Sequence, residues 1–317
     1  MNDPSWILNP LNNPLFWPVV WRTLALYAIG FFLIIALNKG RLAGLWSGNI
    51  GKRYLSWLVI GPVYLLAVFL GGDVALAFLL CVMVMALKEV DNISKMPRAY
   101  FYTLCALAVW SVFVVSYKTD LFYTLPLMYF GAFTTLTLHE NNSKEGLAHC
   151  SLSLFVAIWI IFSLSHFVLI GHLNNTLDSS KALLLLLGFA VPLSDIFAYF
   201  VGNAFKGSWL DKFKIASRLS PNKTYVGVLG NILGAGLGIW MFYFWLSQYL
   251  PWWHWVIMAV LMGVMGVVGD ITESLFKRRF GVKDSGRLLP GHGGVLDRID
   301  SVLRVVVVLY YYLLFFM

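Results

Sequence analysis

The sequence predicts an all-α, polytopic transmembrane protein of about ten spans, with a polar site at the cytoplasmic face of its C-terminal half. Three observations carry that expectation. Of 317 residues, 60% are hydrophobic and 16% aromatic, more apolar surface than a water-soluble core of this length encloses. The apolar residues come in continuous runs approaching the roughly 20 residues that a helix needs to cross a bilayer, not in the alternation of barrel strands. The remaining charge is concentrated between Gly269 and Ser301, where Asp270, Glu273, Asp284, Asp297 and Asp300 stand among Lys277, Arg278, Arg279, Lys283, Arg287 and Arg298.

Taken in order, the expected spans are Trp17–Leu37, Ser56–Leu70, Val74–Leu87, Tyr100–Val115, Leu121–Leu138, Cys150–Ile170, Ala182–Gly202, Tyr225–Leu246, Trp255–Val268 and Val302–Met317. Asp3 is the only charge in Met1–Leu15, so no basic leader precedes the first run and no cleaved signal peptide is expected. Arg22, inside that run, either snorkels to the outer surface or marks a later helix start. Gly230, Gly234 and Gly238 in one span, and Gly263, Gly266 and Gly269 in the next, present small faces for close helix packing, against each other or a neighbour. Trp252, Trp253 and Trp255 beside Pro251 suit an interfacial belt. There is no internal repeat and no paired set of broken helices of the kind secondary transporters carry.

If the connections alternate sides, the 23 Lys and Arg residues divide unevenly: only Lys118 and Lys181 fall on one side, and only Arg22 and Arg304 fall within spans. The basic side is cytoplasmic by the positive-inside rule, which places both termini outside. The net charge of +8 is thus mostly topological, and no nucleic-acid partner is expected. Cys81, Cys105 and Cys150 show neither metal-ligand spacing nor a disulfide framework. The chain divides into an N-terminal membrane region, 1–181, and a C-terminal catalytic region, 182–317. The N-terminal spans are left with two roles, a lipid-access surface or contact with a second copy in a homodimer.

Asp195 lies in or at the end of a span, where a carboxylate costs on the order of 3 kcal/mol, so it is a functional candidate or a helix–helix hydrogen-bonding partner. Ser220-Pro221 forms a turn signal, and Lys223 with Thr224 offers a cation and a hydroxyl at a helix start. Such a pair either holds a phosphate or simply caps the helix. Asp270, Glu273 and Lys277 share a face if their helix continues past the membrane, and Asp297 and Asp300 share another. Paired carboxylates on two helices suit Mg²⁺, which fills its remaining positions with water and substrate phosphate. Lys283, Arg287 and the Pro290–Gly294 stretch, with Gly293, Gly294 and the titratable His292, supply cations and a backbone able to approach phosphates. So many acids beside lipid are not explained by topology, and the residues point to a metal-dependent, phosphate-handling membrane enzyme.

Ser274-Leu275-Phe276-Lys277-Arg278, followed by Lys283-Asp284-Ser285-Gly286 and then by Leu289 to Asp300, resembles the signature of the phosphatidate cytidylyltransferase (CDP-diacylglycerol synthase) family. The likeness extends weakly back to Asp195-Ile196-Phe197-Ala198-Tyr199. The resemblance implies transfer of CMP from CTP to phosphatidate with Mg²⁺, alone or with a second cation, in the bilayer of a bacterial inner membrane and with the site facing the cytoplasm. It implies Asp297 and Asp270 as leading metal ligands, supported by Asp195, Glu273 and Asp300. Lys223, Lys277, Arg278, Lys283 and His292 are then phosphate contacts, with Ser220, Thr224, Gly293, Gly294 and Arg298 lining the nucleotide site. Asn222 and Val226 depart from the usual lysine and glutamate, and Asn203 and the Phe205-Lys206-Gly207 order depart nearby. These departures leave a different lipid phosphate as an alternative substrate, and a non-catalytic transporter or scaffold as an alternative class.

Overall fold

The computed structural model describes residues 10–37, 46, 48–140, 143–173, 177–286 and 293–316. It is almost wholly helical. The N-terminal region comprises α1 (Phe16–Leu37), α2 (Asn49–Leu70), α3 (Gly72–Ser94), α4 (Arg98–Tyr117), α5 (Leu125–Glu140), α6 (Ser143–Val156) and α7 (Ser163–His172). A π-helical turn, Ala157–Phe162, joins α6 to α7. Then come α8 (Leu177–Ala204), strands β1 (Lys214–Ala216) and β2 (Ser220–Thr224), α9 (Tyr225–Trp240), the short α10 (Tyr243–Leu246), α11 (Trp252–Arg279) and α12 (Leu296–Phe316).

Local sequence explains several boundaries. Gly71 (φ +62°) and Gly72 (φ +46°) reverse the chain between α2 and α3 in a backbone conformation that side chains disfavour. Pro97 and Pro251 precede α4 and α11, where a missing N–H costs nothing. Thr224 caps α9, its hydroxyl oxygen accepting the Gly227 N–H at 3.1 Å.

Among the described residues, eight helical stretches are long and apolar enough to cross a membrane, so the protein is a polytopic membrane protein. Two of the ten expected spans do not meet that description. The α3 helix carries Asp73, Lys88, Glu89 and Asp91, and α9 has only 16 residues because the chain turns at Met241–Phe242. The expected loop between α8 and α9 contains an antiparallel β-hairpin, Lys214 opposite Thr224 and Ala216 opposite Ser220. Arg22 lies within α1: its guanidinium turns back to donate to the Pro18 carbonyl at 2.9 Å and stacks 4.2 Å from the centre of the Phe244 ring.

The C-terminal helices form the frame of the site. The glycine face of α9 packs on α8, since a Cβ at Gly230 would stand 2.9 Å from the Ala198 Cα and one at Gly238 2.9 Å from the Ala190 Cβ. Gly263 of α11 meets Ile232 of α9, and Gly269 of α11 meets the backbone of Asp300 and Ser301 on α12. Backbones this close need residues without side chains. Buried Asn231 of α9 donates to Ser194 of α8 at 2.9 Å, fixing the register of that pair. The N-terminal region joins this frame through α2 and α7, the Tyr64 hydroxyl donating to the Leu184 carbonyl of α8.

A Cβ at Gly234 would collide with the Leu193 carbonyl and stand 2.8 Å from the Ser194 Cα. Gly234→Val is therefore expected to destabilise the protein by about 1–3 kcal/mol, read as earlier thermal unfolding in detergent. Unchanged melting would mean that α8 and α9 do not pack through this face.

Candidate active site

Four helix ends meet at one side of this frame, α8 and α11 arriving and α9 and α12 departing. Between them lies a cavity of about 1070 Å³ whose walls include Asp195, Lys223, Asp270, Glu273, Asp297 and Asp300. Asp195 sits roughly two and a half turns before the end of α8, and Asp270 the same distance before the end of α11. The cavity floor is thus recessed below the helix tips. Hydropathy alone does not place the α11 acids there: the helix continues through Arg279, so its polar residues line the inside of the bundle instead of a surface loop.

Two charged groupings share the floor. In the first, the Lys223 ammonium is 2.5 Å from Asp270. Burial draws the Lys223 pKa down, but Asp270 and Asp195 outweigh it and hold the group above its ordinary 10.5, so it is charged at physiological pH. Asp195, Asp270 and Asp300 are close enough to act on one another as well. Asp195 is open to the cavity, whereas Asp300 is buried and accepts the Ser301 N–H at 2.7 Å.

In the second grouping, Lys277 is 2.6 Å from Glu273 and 2.7 Å from Asp297. Asp297 Oδ2 also accepts the Ser285 N–H at 3.0 Å, the Ser285 hydroxyl at 2.8 Å and the Gly294 N–H at 2.7 Å. Gly293 (φ +83°) is tight against the same carboxylate, leaving no room for a Cβ. Among the described residues, the close neighbours of Gly293 and Gly294 are therefore the carboxylates of Asp297 and Glu89 and the Ser285 hydroxyl.

The other expected residues surround these groupings. Ser220 lies in the hairpin wall of the cavity, and the side-chain oxygen of Thr224 is engaged as the α9 cap. Arg278 and Lys283 are exposed on the cavity wall. Arg298 also lines it, with a buried Nε–H that has no partner among the described residues. Asn222 is exposed to the cavity, while the other departure, Val226, is buried and does not line it. His292 and Arg287 lie outside the described residues.

The site also contains residues the sequence did not single out. Glu89 of α3 is buried, 8% exposed, and accepts the Val295 N–H at 2.7 Å, the Leu296 N–H at 2.9 Å and the Ser285 hydroxyl at 2.9 Å. Its only signal in the sequence is an acid beside Lys88 at the end of an apolar run. Arg53 of α2 reaches the cavity wall.

Among the described residues, no three His, Cys, Asp or Glu side chains are grouped to enclose a metal ion. The donors nevertheless fit a sparsely held cation. Glu273 Oε1 is buried with no hydrogen-bond partner among the described residues, and Asp195 is open to the same cavity. A hard cation that keeps water and phosphate in its shell needs only one or two protein carboxylates.

A model described as the cytidylyltransferase family matches residues 51–316. The chain is 32% identical over 300 residues to a phosphatidate cytidylyltransferase of Bacillus subtilis (strain 168), covering 93% of this chain and 89% of that protein. It is 30% identical over 262 residues to a phosphatidate cytidylyltransferase of Brucella suis biovar 1 (strain 1330), covering 83% and 92%. A shorter match, 41% identical over 125 residues, relates it to a phosphatidate cytidylyltransferase of Synechocystis sp., covering 37% and 40%. With most of its length matched, including all four helices that build the cavity, the chain belongs to the cytidylyltransferase family.

Proposed function

We propose that the protein transfers the cytidylyl group of CTP to phosphatidate, giving CDP-diacylglycerol and pyrophosphate. The observation that carries this reading is the cavity, in which carboxylates and phosphate-seeking cations from four helix ends face one another in a member of this family. A phosphate oxygen of phosphatidate attacks the α-phosphorus of CTP in line, and the bond to pyrophosphate breaks on the opposite side. No protein nucleophile is needed.

The residues act on charge and position. Arg298, Arg278 and Lys283 on the cavity wall bind phosphate oxygens, and the Arg298 Nε–H, which has no partner among the described residues, is one donor for that purpose. Lys223 and Lys277 hold the carboxylates apart and face incoming phosphate. Asp270 and Asp297, supported by Asp195, Glu273 and Asp300, would hold Mg²⁺. Bound there, Mg²⁺ supplies positive charge that offsets the charge building on pyrophosphate. Region 182–317 carries this chemistry and 1–181 supports it. The site faces the cytoplasm of a bacterial inner membrane, a reading supported by the distribution of Lys and Arg and by the bacterial relatives.

One preparation tests both reaction and sidedness. Inside-out vesicles of a bacterial host expressing the chain, given radiolabelled CTP, phosphatidate and Mg²⁺, are expected to form labelled lipid. Right-side-out vesicles are not, because CTP does not cross the membrane. Chelation with EDTA should stop the reaction and added Mg²⁺ restore it. Labelled lipid formed only from other lipid phosphates would overturn the substrate, none at all the transfer, and product only in right-side-out vesicles the orientation.

A further inference from the structure

We infer that Glu89, on a helix of the N-terminal region, is a positioning residue for the cytidylyl transfer, acting through Ser285 on Asp297. The inference rests on the proposed transfer. Glu89 does not line the cavity, so it does not act by touching substrate.

Three observations support it. The first concerns the start of α12, whose leading N–H groups have no partners within the helix and draw anions. Glu89 occupies that position, one oxygen on Val295 and the other on Leu296. The helix start is thus filled by the protein's own carboxylate and is closed to a substrate phosphate, which is directed to the cavity cations instead.

The second is the fit of the backbone around Glu89. A Cβ at Gly286 would stand 2.8 Å from Glu89 Oε1, and one at Gly294 would collide with Glu89 Oε2 and the Ser285 hydroxyl. Chain on both sides, at 285–286 and 294–296, is therefore moulded to this one carboxylate. Asp297 follows directly and takes its direction from the same backbone.

The third is a shared proton. The Ser285 hydroxyl lies 2.9 Å from Glu89 Oε2 and 2.8 Å from Asp297 Oδ2. A serine hydroxyl has one hydrogen to donate, so it serves one carboxylate at a time. Both acceptors are in reach, so Glu89 competes for a hydrogen that Asp297 would otherwise hold, and whenever it points to Glu89 the Asp297 carboxylate keeps more charge toward the cavity. Without Glu89, the hydrogen goes to Asp297 alone and the loop loses its anchor.

The test uses the full-length protein in detergent, measuring kcat, KM for CTP, Mg²⁺ binding by titration calorimetry, and melting temperature for Glu89→Ala, Glu89→Gln, Ser285→Ala and the Glu89→Gln/Ser285→Ala double variant. Outer partners of a metal-binding carboxylate typically cost 10–100-fold when removed. Glu89→Ala is expected to lower kcat per folded molecule by roughly that factor and to shift Mg²⁺ affinity with it, with KM for CTP little changed. Glu89→Gln, which keeps one accepting oxygen, should recover part of the loss. In the Gln background, Ser285→Ala should cost less than it does alone.

A lowered melting temperature with unchanged kcat per folded molecule and unchanged Mg²⁺ binding would make Glu89 a helix cap only and overturn the inference. Additive effects of the two substitutions would do the same. If Glu89→Ala does not fold, the Gln and Ser285 variants decide. If the wild-type protein forms no labelled lipid, the transfer reading fails by itself, and the Mg²⁺-binding comparison still decides whether Glu89 governs Asp297.

Discussion

Asp297→Asn is expected to lower kcat about a thousandfold, some 4 kcal/mol of barrier at 1.36 kcal/mol per factor of ten, while the protein still inserts and folds. Asp297 meets donors on both of its oxygens: Lys277 at one, and Ser285 and Gly294 at the other. An asparagine turns its amide NH₂ toward one of these sides, setting donor against donor. It also leaves Glu273 as the charged partner of the Lys277 ammonium and removes a leading candidate ligand for Mg²⁺. Removing one group preorganised toward developing charge typically costs about 10²–10³ in kcat, the expected size. Single-turnover transfer from labelled CTP, normalised to monodisperse protein on size exclusion, measures it. Activity near that of the wild type would remove Asp297 from the site.

Lys223→Met is expected to separate two quantities that usually fall together. The ammonium stands among Asp270, Asp195 and Asp300. Its removal leaves those carboxylates facing one another without the ammonium that pairs with Asp270, so Mg²⁺ should bind more tightly. Turnover should nonetheless fall roughly a hundredfold, because a charge preorganised toward the reacting phosphates is lost. Calorimetry and steady-state kinetics on one sample show both. Weaker Mg²⁺ binding would mean that Lys223 shapes the site rather than balancing its charge. The pH dependence follows the same logic. Because the folded-state pKa of Lys223 is raised, its ion pair is fully formed below the unfolded lysine value of 10.5 and is lost only as pH rises through the folded value. Between about pH 6 and 9, Lys223 should contribute no inflection to the rate or stability profile.

Much of this site was legible in the sequence because its cause is one-dimensional. Asp270, Glu273 and Lys277, and separately Asp297 and Asp300, lie at helical spacing, and both helices continue as that spacing requires. Asp195 stood out as an acid within apolar sequence, and it does reach the same cavity. Glu89 was not legible, since its partners Ser285, Val295 and Leu296 are far along the chain and only the fold brings them together. The end of α9 was hidden for a different reason: the turn at Met241–Phe242 is made of apolar residues, which hydropathy cannot distinguish from helix. The hairpin of β1 and β2 has neither alternation nor strand-forming composition, and Pro221 argues against a strand there. Gly293 and Gly294 were recognisable as backbone able to approach phosphate, but sequence did not reveal that Asp297 and Glu89 are among what they approach, nor that Gly286 lies against Glu89.

The brevity of α9 bears on which substrate travels. Sixteen helical residues rise about 24 Å, against roughly 30 Å of hydrocarbon. The helix starts at the cavity floor and turns Tyr225, Leu229 and Leu233 outward. Thinning of the adjacent leaflet is one way a bilayer accommodates so short a helix. Headgroups are then expected to dip toward the level of Lys223 and Asp270, which would let a phosphatidate reach the floor sideways in its own leaflet. On that arrangement the nucleotide is the substrate expected to make the descent, from water past the ends of α8 and α11.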